Sequence, residues 1–279
     1  MKIKTQEISL PILDEKKLRL FMKRIDLIHP YISGNKWYKL KYNLLEAEKK
    51  KFQTILTFGG AYSNHIVSTA FAAKQKGFKS IGIIRGEETL PLNNTLNFAK
   101  TNGMDLHYIS RQDYRQKHTD SFITSLHEKF GNFYIIPEGG TNQFAIKGSS
   151  EILDKMDTQN YICMSIGTGG SIAGIINSSF ENQNVLGFPA LKETEYIEKD
   201  IKYWSDKQNW KLITDYHFGG YAKISEELIQ FIMDFYNKHN IPLDAIYTGK
   251  MMLGIFDLIK RDFFLKGSSI LAIHTGGLQ

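Results

Sequence analysis

Three short segments hold residues whose types and spacing could do chemistry. The loop Gly167-Thr168-Gly169-Gly170-Ser171 follows the apolar run Tyr161 to Ile166 and opens a helical pattern over 172–178. Glycines let a backbone approach an oxyanion, and the first N–H groups and the dipole of a helix favour a phosphate there. A tight strand-to-helix turn without a ligand is the alternative. Position 172, where a dinucleotide fingerprint needs its third glycine, is Ile172, and no Lys-Ser or Lys-Thr pair closes a nucleotide P-loop. The second segment, Ser33 to Tyr42, leads into a helix over 44–50 and sets Lys36 beside Trp37 and Tyr38. A lysine desolvated by such neighbours has a lowered pKa and a nucleophilic amine, whereas by composition it is one surface cation among twenty-nine lysines. The third segment, Gly59 to His65, ends a strand pattern. Ser63 or Asn64 can cap the helix that follows, and the same geometry can hold a carboxylate.

The elements that must position these segments alternate. Short β-rich runs at 54–58, 81–84, 106–109, 133–136, 162–166, 185–188, 245–247 and 270–273 are separated by helical patterns at 66–76, 95–102, 121–129, 172–178, 225–239 and 251–265. Strand, helix, strand on this scale is the βαβ unit, so the fold class is α/β with mostly parallel sheets covered by helices. The two glycine-bearing strand ends lie about a hundred residues apart, each where an open α/β sheet collects ligands. They imply two α/β domains facing one cleft.

Composition excludes several other classes. A chain of 279 residues, 42% hydrophobic and 13% aromatic, supports a packed core of about two domains. The net charge of +6 comes from 35 basic residues of which six are Arg, scattered without the Arg-rich aromatic element of a nucleic-acid binder. A basic surface still draws small anionic substrates. Cys163, the single cysteine, excludes an internal disulfide and reads as a buried, inert thiol. Residues 1–10 hold no secretory apolar stretch, and no window approaches the roughly 18 apolar residues of a membrane span, so no membrane partner and a cytoplasmic location are expected. The histidines 107, 118, 127, 217 and 239 have no metal-like spacing with Cys or acids, and no metal is expected.

Six segments in order carry a resemblance. Ser33-Gly34-Asn35-Lys36 with Lys39-Leu40, Gly59-Gly60-x-x-Ser63-Asn64-His65, Pro137-Glu138-Gly139-Gly140, Gly167-Thr168-Gly169-Gly170, Tyr247-Thr248-Gly249-Lys250 and His274-Thr275-Gly276-Gly277 span about 23–277. Together they resemble the pyridoxal-phosphate enzymes of the 1-aminocyclopropane-1-carboxylate deaminase and D-cysteine desulfhydrase family, of the tryptophan synthase β-like fold. The resemblance implies two open, mostly parallel α/β domains with pyridoxal 5'-phosphate in the cleft between them. Residues 1–40 with 150–279 would form the larger, cofactor-binding domain and 41–149 the smaller one. Lys36 matches the lysine that forms a Schiff base with the cofactor and then moves the α-proton. Asn64 matches the partner of the cofactor's 3-hydroxyl. Gly167, Thr168, Gly169, Gly170 and Ser171 match the phosphate cradle, and Thr248 and Thr275 match positions on the ring. Ser63 and Tyr247 match the polar pair beside the substrate, with Ser63, Asn64 and His65 receiving its carboxylate. A homodimer is implied as well.

Two departures bear on the reaction. The deaminases of this family carry Glu at the position of Thr248, which holds the pyridine nitrogen protonated, and tend to carry Leu at the position of Thr275. A hydroxyl cannot supply a carboxylate's charge-assisted hydrogen bond, so the ring is expected to be neutral and a weaker electron sink. Both departures lean toward D-cysteine desulfhydrase: α,β-elimination from a small amino acid, giving pyruvate, ammonia and hydrogen sulfide. The rival is ring opening of 1-aminocyclopropane-1-carboxylate to 2-oxobutyrate and ammonia. A serine dehydratase or racemase on this fold, or a protein that binds pyridoxal phosphate or an anion without turnover, are further alternatives. The aromatics Tyr196, Tyr203, Trp204 and Trp210 read as helix packing or as a reshaped substrate side, and Tyr216 and Tyr221 as loop or packing residues. Only two residues follow Gly277, which leaves little to cap the cofactor and points to a longer C-terminus.

Overall fold

A computed structural model describes residues 3–277 of the chain; the expectation about the C-terminal end falls on residues outside this range. In chain order, β1 (Thr5–Ile8), α1 (Pro11–Lys16) and β2 (Arg19–Lys23) lead through a 3-10 turn to α2 (Asn35–Lys49). Then come β3 (Thr54–Gly60), α3 (Asn64–Gln75), β4 (Lys79–Arg85), α4 (Asn94–Thr101), β5 (Met104–Ile109), α5 (Arg111–Tyr114), α6 (Asp120–Phe130), β6 (Tyr134–Ile136) and α7 (Gln143–Ser149). The remainder holds β7 (Tyr161–Ile166), α8 (Gly170–Ser178), β8 (Asn184–Pro189), α9 (Glu195–Trp204), β9 (Trp210–Leu212), α10 (Glu226–His239), α11 (Thr248–Lys260) and β10 (Ser269–Ile273).

Two compact units separate. One contains residues 3–35 and 149–277, the other Lys36–Gly148. The first carries a six-stranded sheet in the order β1-β2-β10-β7-β8-β9, parallel except for β1 against β2. The second carries a four-stranded, wholly parallel sheet in the order β5-β4-β3-β6. This is the mixed α/β architecture with parallel sheets that the alternation predicts.

Burial explains why the parallel strands read as unbroken apolar runs rather than alternating ones. All six residues of β7 are buried. In the second unit Ile83 packs with Leu56, Phe58 and Phe133, while its neighbour Ile84 packs with Ile66, Leu96 and Met104. Successive strand residues point to opposite faces, so that sheet is covered on both. Each fully buried Ile or Leu contributes about 1.5–3 kcal/mol of transfer free energy. The first unit packs Leu20, Met22, Cys163, Phe188, Met251 and Ile270 into one core. Cys163 is buried, and burial pushes its thiol pKa up, as an inert core thiol requires. Among the described residues no helix is long and apolar enough to cross a membrane.

Four local readings are corrected. The run 245–247 is a turn, not a strand, because a carboxylate takes up its N–H groups, as described below. The helix expected over 44–50 begins at Asn35, since Lys39 and Asn43 stand buried beside Tyr38 and Leu40 and interrupt the apolar pattern of its first turns. The helix expected over 251–265 runs from Thr248 to Lys260. β1, β2 and the three-residue β9 were not anticipated, being short or polar at the sheet's margin.

Candidate active site

In the first unit β7 has β8 on one side and β10 on the other, so the chain ends its strands at a topological switch point beside 167–171 and 274–277. Gly169 is left-handed at φ 78° and stands as N-cap of α8 with no side-chain bond. The first N–H groups of that helix therefore lack intrahelical acceptors. A Cβ on Gly167 would sit 3.3 Å from Tyr247 Oη. Asn35 reaches this loop: its Nδ2 donates to Ser171 Oγ at 2.9 Å and its backbone N–H donates to Thr275 O at 3.2 Å. Thr275 Oγ1 and Ser165 Oγ share a hydrogen bond of 3.1 Å. Gly34, at φ 62°, passes so close to Thr275 that a Cβ would fall 1.7 Å from its carbonyl oxygen. Gly34→Ala is expected to cost about 1–3 kcal/mol in backbone strain alone. Thermal unfolding of the variant measures this, and an unchanged Tm would contradict the close approach.

Tyr247 is presented by a turn that Asp244 builds. The carboxylate of Asp244 accepts from the N–H groups of Ile246 (2.9 Å), Tyr247 (2.6 Å) and Thr248 (2.9 Å) and from the hydroxyl of Thr248 (2.5 Å). Thr248 is fully buried, and its oxygen also accepts from the Asp244 N–H at 2.9 Å. The proton of Thr248 is thus spent on Asp244. Burial, followed by the neighbouring phenol of Tyr221 and then Asp244 and Tyr196, raises the Tyr247 pKa well above its ordinary value, so the phenol stays protonated. Of the four aromatics in question on 196–210, only Tyr196 enters this environment. Tyr203 is exposed against Trp204, and the Trp210 indole donates to Lys207 O. Lys250 is buried and donates to the carbonyls of His217 and Gly220, both at 2.9 Å, which holds the loop that carries Tyr221.

In the second unit β3 lies between β4 and β6, so Gly59 to Asn64 leave the sheet at its own switch point. Ser63 caps α3, accepting from the Ile66 N–H at 3.4 Å, and Asn64 and His65 begin the helix. Gly59 admits this cap, since a Cβ there would lie 2.8 Å from Ser63 Oγ. The His65 ring is turned into the protein, 2% exposed, with Nε2 2.8 Å from Thr57 Oγ1. Thr57 donates its own proton to Ile136 O, so His65 Nε2 carries the imidazole proton. Desolvation, then Lys36 and Lys39, hold the His65 pKa well below the usual histidine value. What His65 can present to a carboxylate is its backbone N–H in the first turn of α3.

Lys36 stands in the first turn of α2, half-buried. Desolvation pushes its pKa down to about 8. Lys39, one turn on and 2% exposed, donates to Gly139 O at 2.6 Å and Thr141 Oγ1 at 3.1 Å, and desolvation with the charge of Lys36 lowers its pKa well below that of a surface lysine. A reactive amine forms on loss of the proton, so modification of Lys36 in cofactor-free protein by an amine-directed reagent is expected to rise with pH to a midpoint near 8. A midpoint near the 10.5 of an exposed lysine would contradict the desolvation.

Two parallel sheets, each ending in a glycine-bearing loop at its switch point, define a class of ligand-binding α/β protein. Residues 3–276 match the profile of the family described as pyridoxal-phosphate dependent enzyme, and the chain belongs to that family. A relative from Pyrococcus furiosus, which carries the name 1-aminocyclopropane-1-carboxylate deaminase provisionally, is 31% identical over 93% of this chain and 85% of its own length. The bifunctional D-cysteine desulfhydrase/1-aminocyclopropane-1-carboxylate deaminase of Arabidopsis thaliana is 29% identical over 93% of this chain and 72% of its own. The crystal structure of an aminocyclopropane-carboxylate deaminase homologue superposes with a TM-score of 0.83, covering 100% of this chain and 90% of that one at 28% identity. The fold is the tryptophan synthase β-like fold, and the protein is an enzyme that uses pyridoxal phosphate. The residues present fit that cofactor: an uncapped helix start behind glycines suits a phosphate, and a desolvated amine suits an aldehyde.

Asp244, Lys250 and Lys39 were not singled out for a role from the sequence. A signal existed for Asp244, an acidic residue shortly before a helix start. None existed for the two lysines, whose partners lie 33 and about a hundred residues away.

Proposed function

We propose that this enzyme is a D-cysteine desulfhydrase. The observation that carries this reading is Thr248, which stands where the deaminases of the family carry Glu and whose hydroxyl proton goes to Asp244. With no carboxylate side chain at 248, the ring nitrogen lacks the partner that keeps it protonated. A substrate with a good leaving group, such as a thiolate, asks least of a weak electron sink. The residues of 3–35 and 149–277 would form the phosphate-binding part of a cytoplasmic homodimer.

When bound, pyridoxal phosphate supplies an aldehyde that takes amino groups and a ring that withdraws electrons from the carbon beside them. The N–H groups of 167–171 and the Ser171 hydroxyl bind the phosphate, and Asn64 binds the 3-hydroxyl. Ser63 and the N–H groups that begin α3 orient the substrate carboxylate through the positive end of the helix. Lys36 Nζ, neutral at a pH above about 8 in the free protein, accepts the α-proton. Tyr247 Oη holds a proton beside the substrate for the departing thiolate. The balance is D-cysteine and water giving pyruvate, ammonia and hydrogen sulfide.

A second reading, aminocyclopropane-carboxylate deaminase, is favoured by the names of the relatives. Holoenzyme supplied separately with D-cysteine and 1-aminocyclopropane-1-carboxylate separates the two. Sulfide and pyruvate from D-cysteine without 2-oxobutyrate from the cyclopropane support the desulfhydrase. 2-Oxobutyrate without sulfide overturns it.

A further inference from the structure

The geometry points to Asn35 as a positioning residue that sets the Ser171 hydroxyl as a donor for the cofactor's phosphate. The inference rests on the glycine loop being the phosphate site. Asn35 and Ser171 are 136 residues apart, and the amide of Asn35 donates to Ser171 Oγ at 2.9 Å. Ser171 is 5% exposed, and its Oγ has no other hydrogen-bond partner among the described residues. A hydroxyl has one proton, and an oxygen that accepts from Asn35 must send that proton elsewhere. A buried hydroxyl proton without an acceptor is costly, so the arrangement is poised for an incoming oxyanion. The backbone of Asn35 is fixed independently, by its N–H bond to Thr275 O. The side chain is therefore held in place from a part of the chain that a substitution at its Cβ leaves intact.

The consequence is selective: Asn35 matters for a ligand with a phosphate and not for the same ligand without one. Cofactor-free protein is titrated with pyridoxal 5'-phosphate and with pyridoxal, following absorbance. Asn35→Ala is expected to weaken the phosphorylated form about tenfold, the loss of one oriented hydrogen bond to a charged group, and to leave pyridoxal within about twofold. Asn35→Asp keeps the shape but accepts the Ser171 proton, turning it from the phosphate, so it should weaken the phosphorylated form more than Asn35→Ala does. On a Ser171→Ala background Asn35→Ala should add less than about twofold, because it acts through that hydroxyl. Equal weakening of both ligands, or additive effects of Asn35→Ala and Ser171→Ala, would overturn the inference, as would no effect. If Asn35→Ala lowers Tm too far to titrate, the comparison of Asn35→Asp with Ser171→Ala decides. Wild-type protein that binds pyridoxal as tightly as its phosphate would instead sink the assignment of the loop.

Discussion

Lys36→Ala should lose turnover by at least about a thousandfold, the range that removal of a general base alone produces, with no loss of secondary structure. The position is half-buried and desolvation depresses its amine, so removing the charge relieves a burial cost. Borohydride should fix the cofactor onto Lys36 in the wild-type protein and onto nothing in the variant. Lys39 is the nearest alternative amine, but it donates to Gly139 O and Thr141 Oγ1 and would have to abandon both to react. Peptide mass mapping after reduction should therefore find no label on Lys39. Lys36→Arg separates amine from charge: it keeps a cation that does not deprotonate and should be as inactive as the alanine variant. Substantial activity in either variant would remove Lys36 from its role.

Asp244→Ala should be the most damaging substitution outside the residues assigned to cofactor or substrate. One carboxylate satisfies three backbone N–H groups and a hydroxyl at the start of α11, an end that no N-cap side chain otherwise serves. Bonds to a charged acceptor and the helix dipole together place the loss at about 3 kcal/mol, a fall of several degrees in Tm. The same turn carries Tyr247, so kcat should fall with stability. Asp244→Asn keeps an oxygen for the Ile246 and Tyr247 N–H groups but no second acceptor for Thr248, and should lie between. Wild-type Tm and kcat in Asp244→Ala would show that the turn is held by packing instead. A carboxylate introduced by Thr248→Glu would face that of Asp244.

The pattern of apolar runs made β3, β4, β7, β8 and β10 legible, because strands buried on both faces need continuous apolar residues whatever their neighbours are. The loops 59–65 and 167–171 were legible for a related reason: glycine and a capping hydroxyl are local requirements of a strand that ends in a helix. The sites that align with a family could be nominated, Lys36 above all, although its composition and spacing alone did not separate it from the other lysines. The start of α2 was not legible. Its buried face mixes Lys39 and Asn43 with Tyr38 and Leu40, and the burial of the two polar residues is matched by acceptors from Gly139, Thr141 and Asn142. Likewise 245–247 has the side chains of a strand, and a single carboxylate next to it turns it into a helix entry.

By itself the sequence determined the fold class and the two switch-point loops, since hydrophobic period, glycine and capping chemistry are read over a few residues, while the lysine to test came from the resemblance to a family. Only the tertiary structure decided the state of these groups. The proton on Thr248 goes to Asp244, the imidazole of His65 turns toward Thr57, the Ser171 hydroxyl is oriented by Asn35, and the Lys36 amine is depressed by the protein packed around it. Protonation, tautomer and hydrogen-bond direction depend on the partners that the folded backbone brings within reach, from 136 residues away for Ser171 and from four for Thr248, and on the exclusion of water.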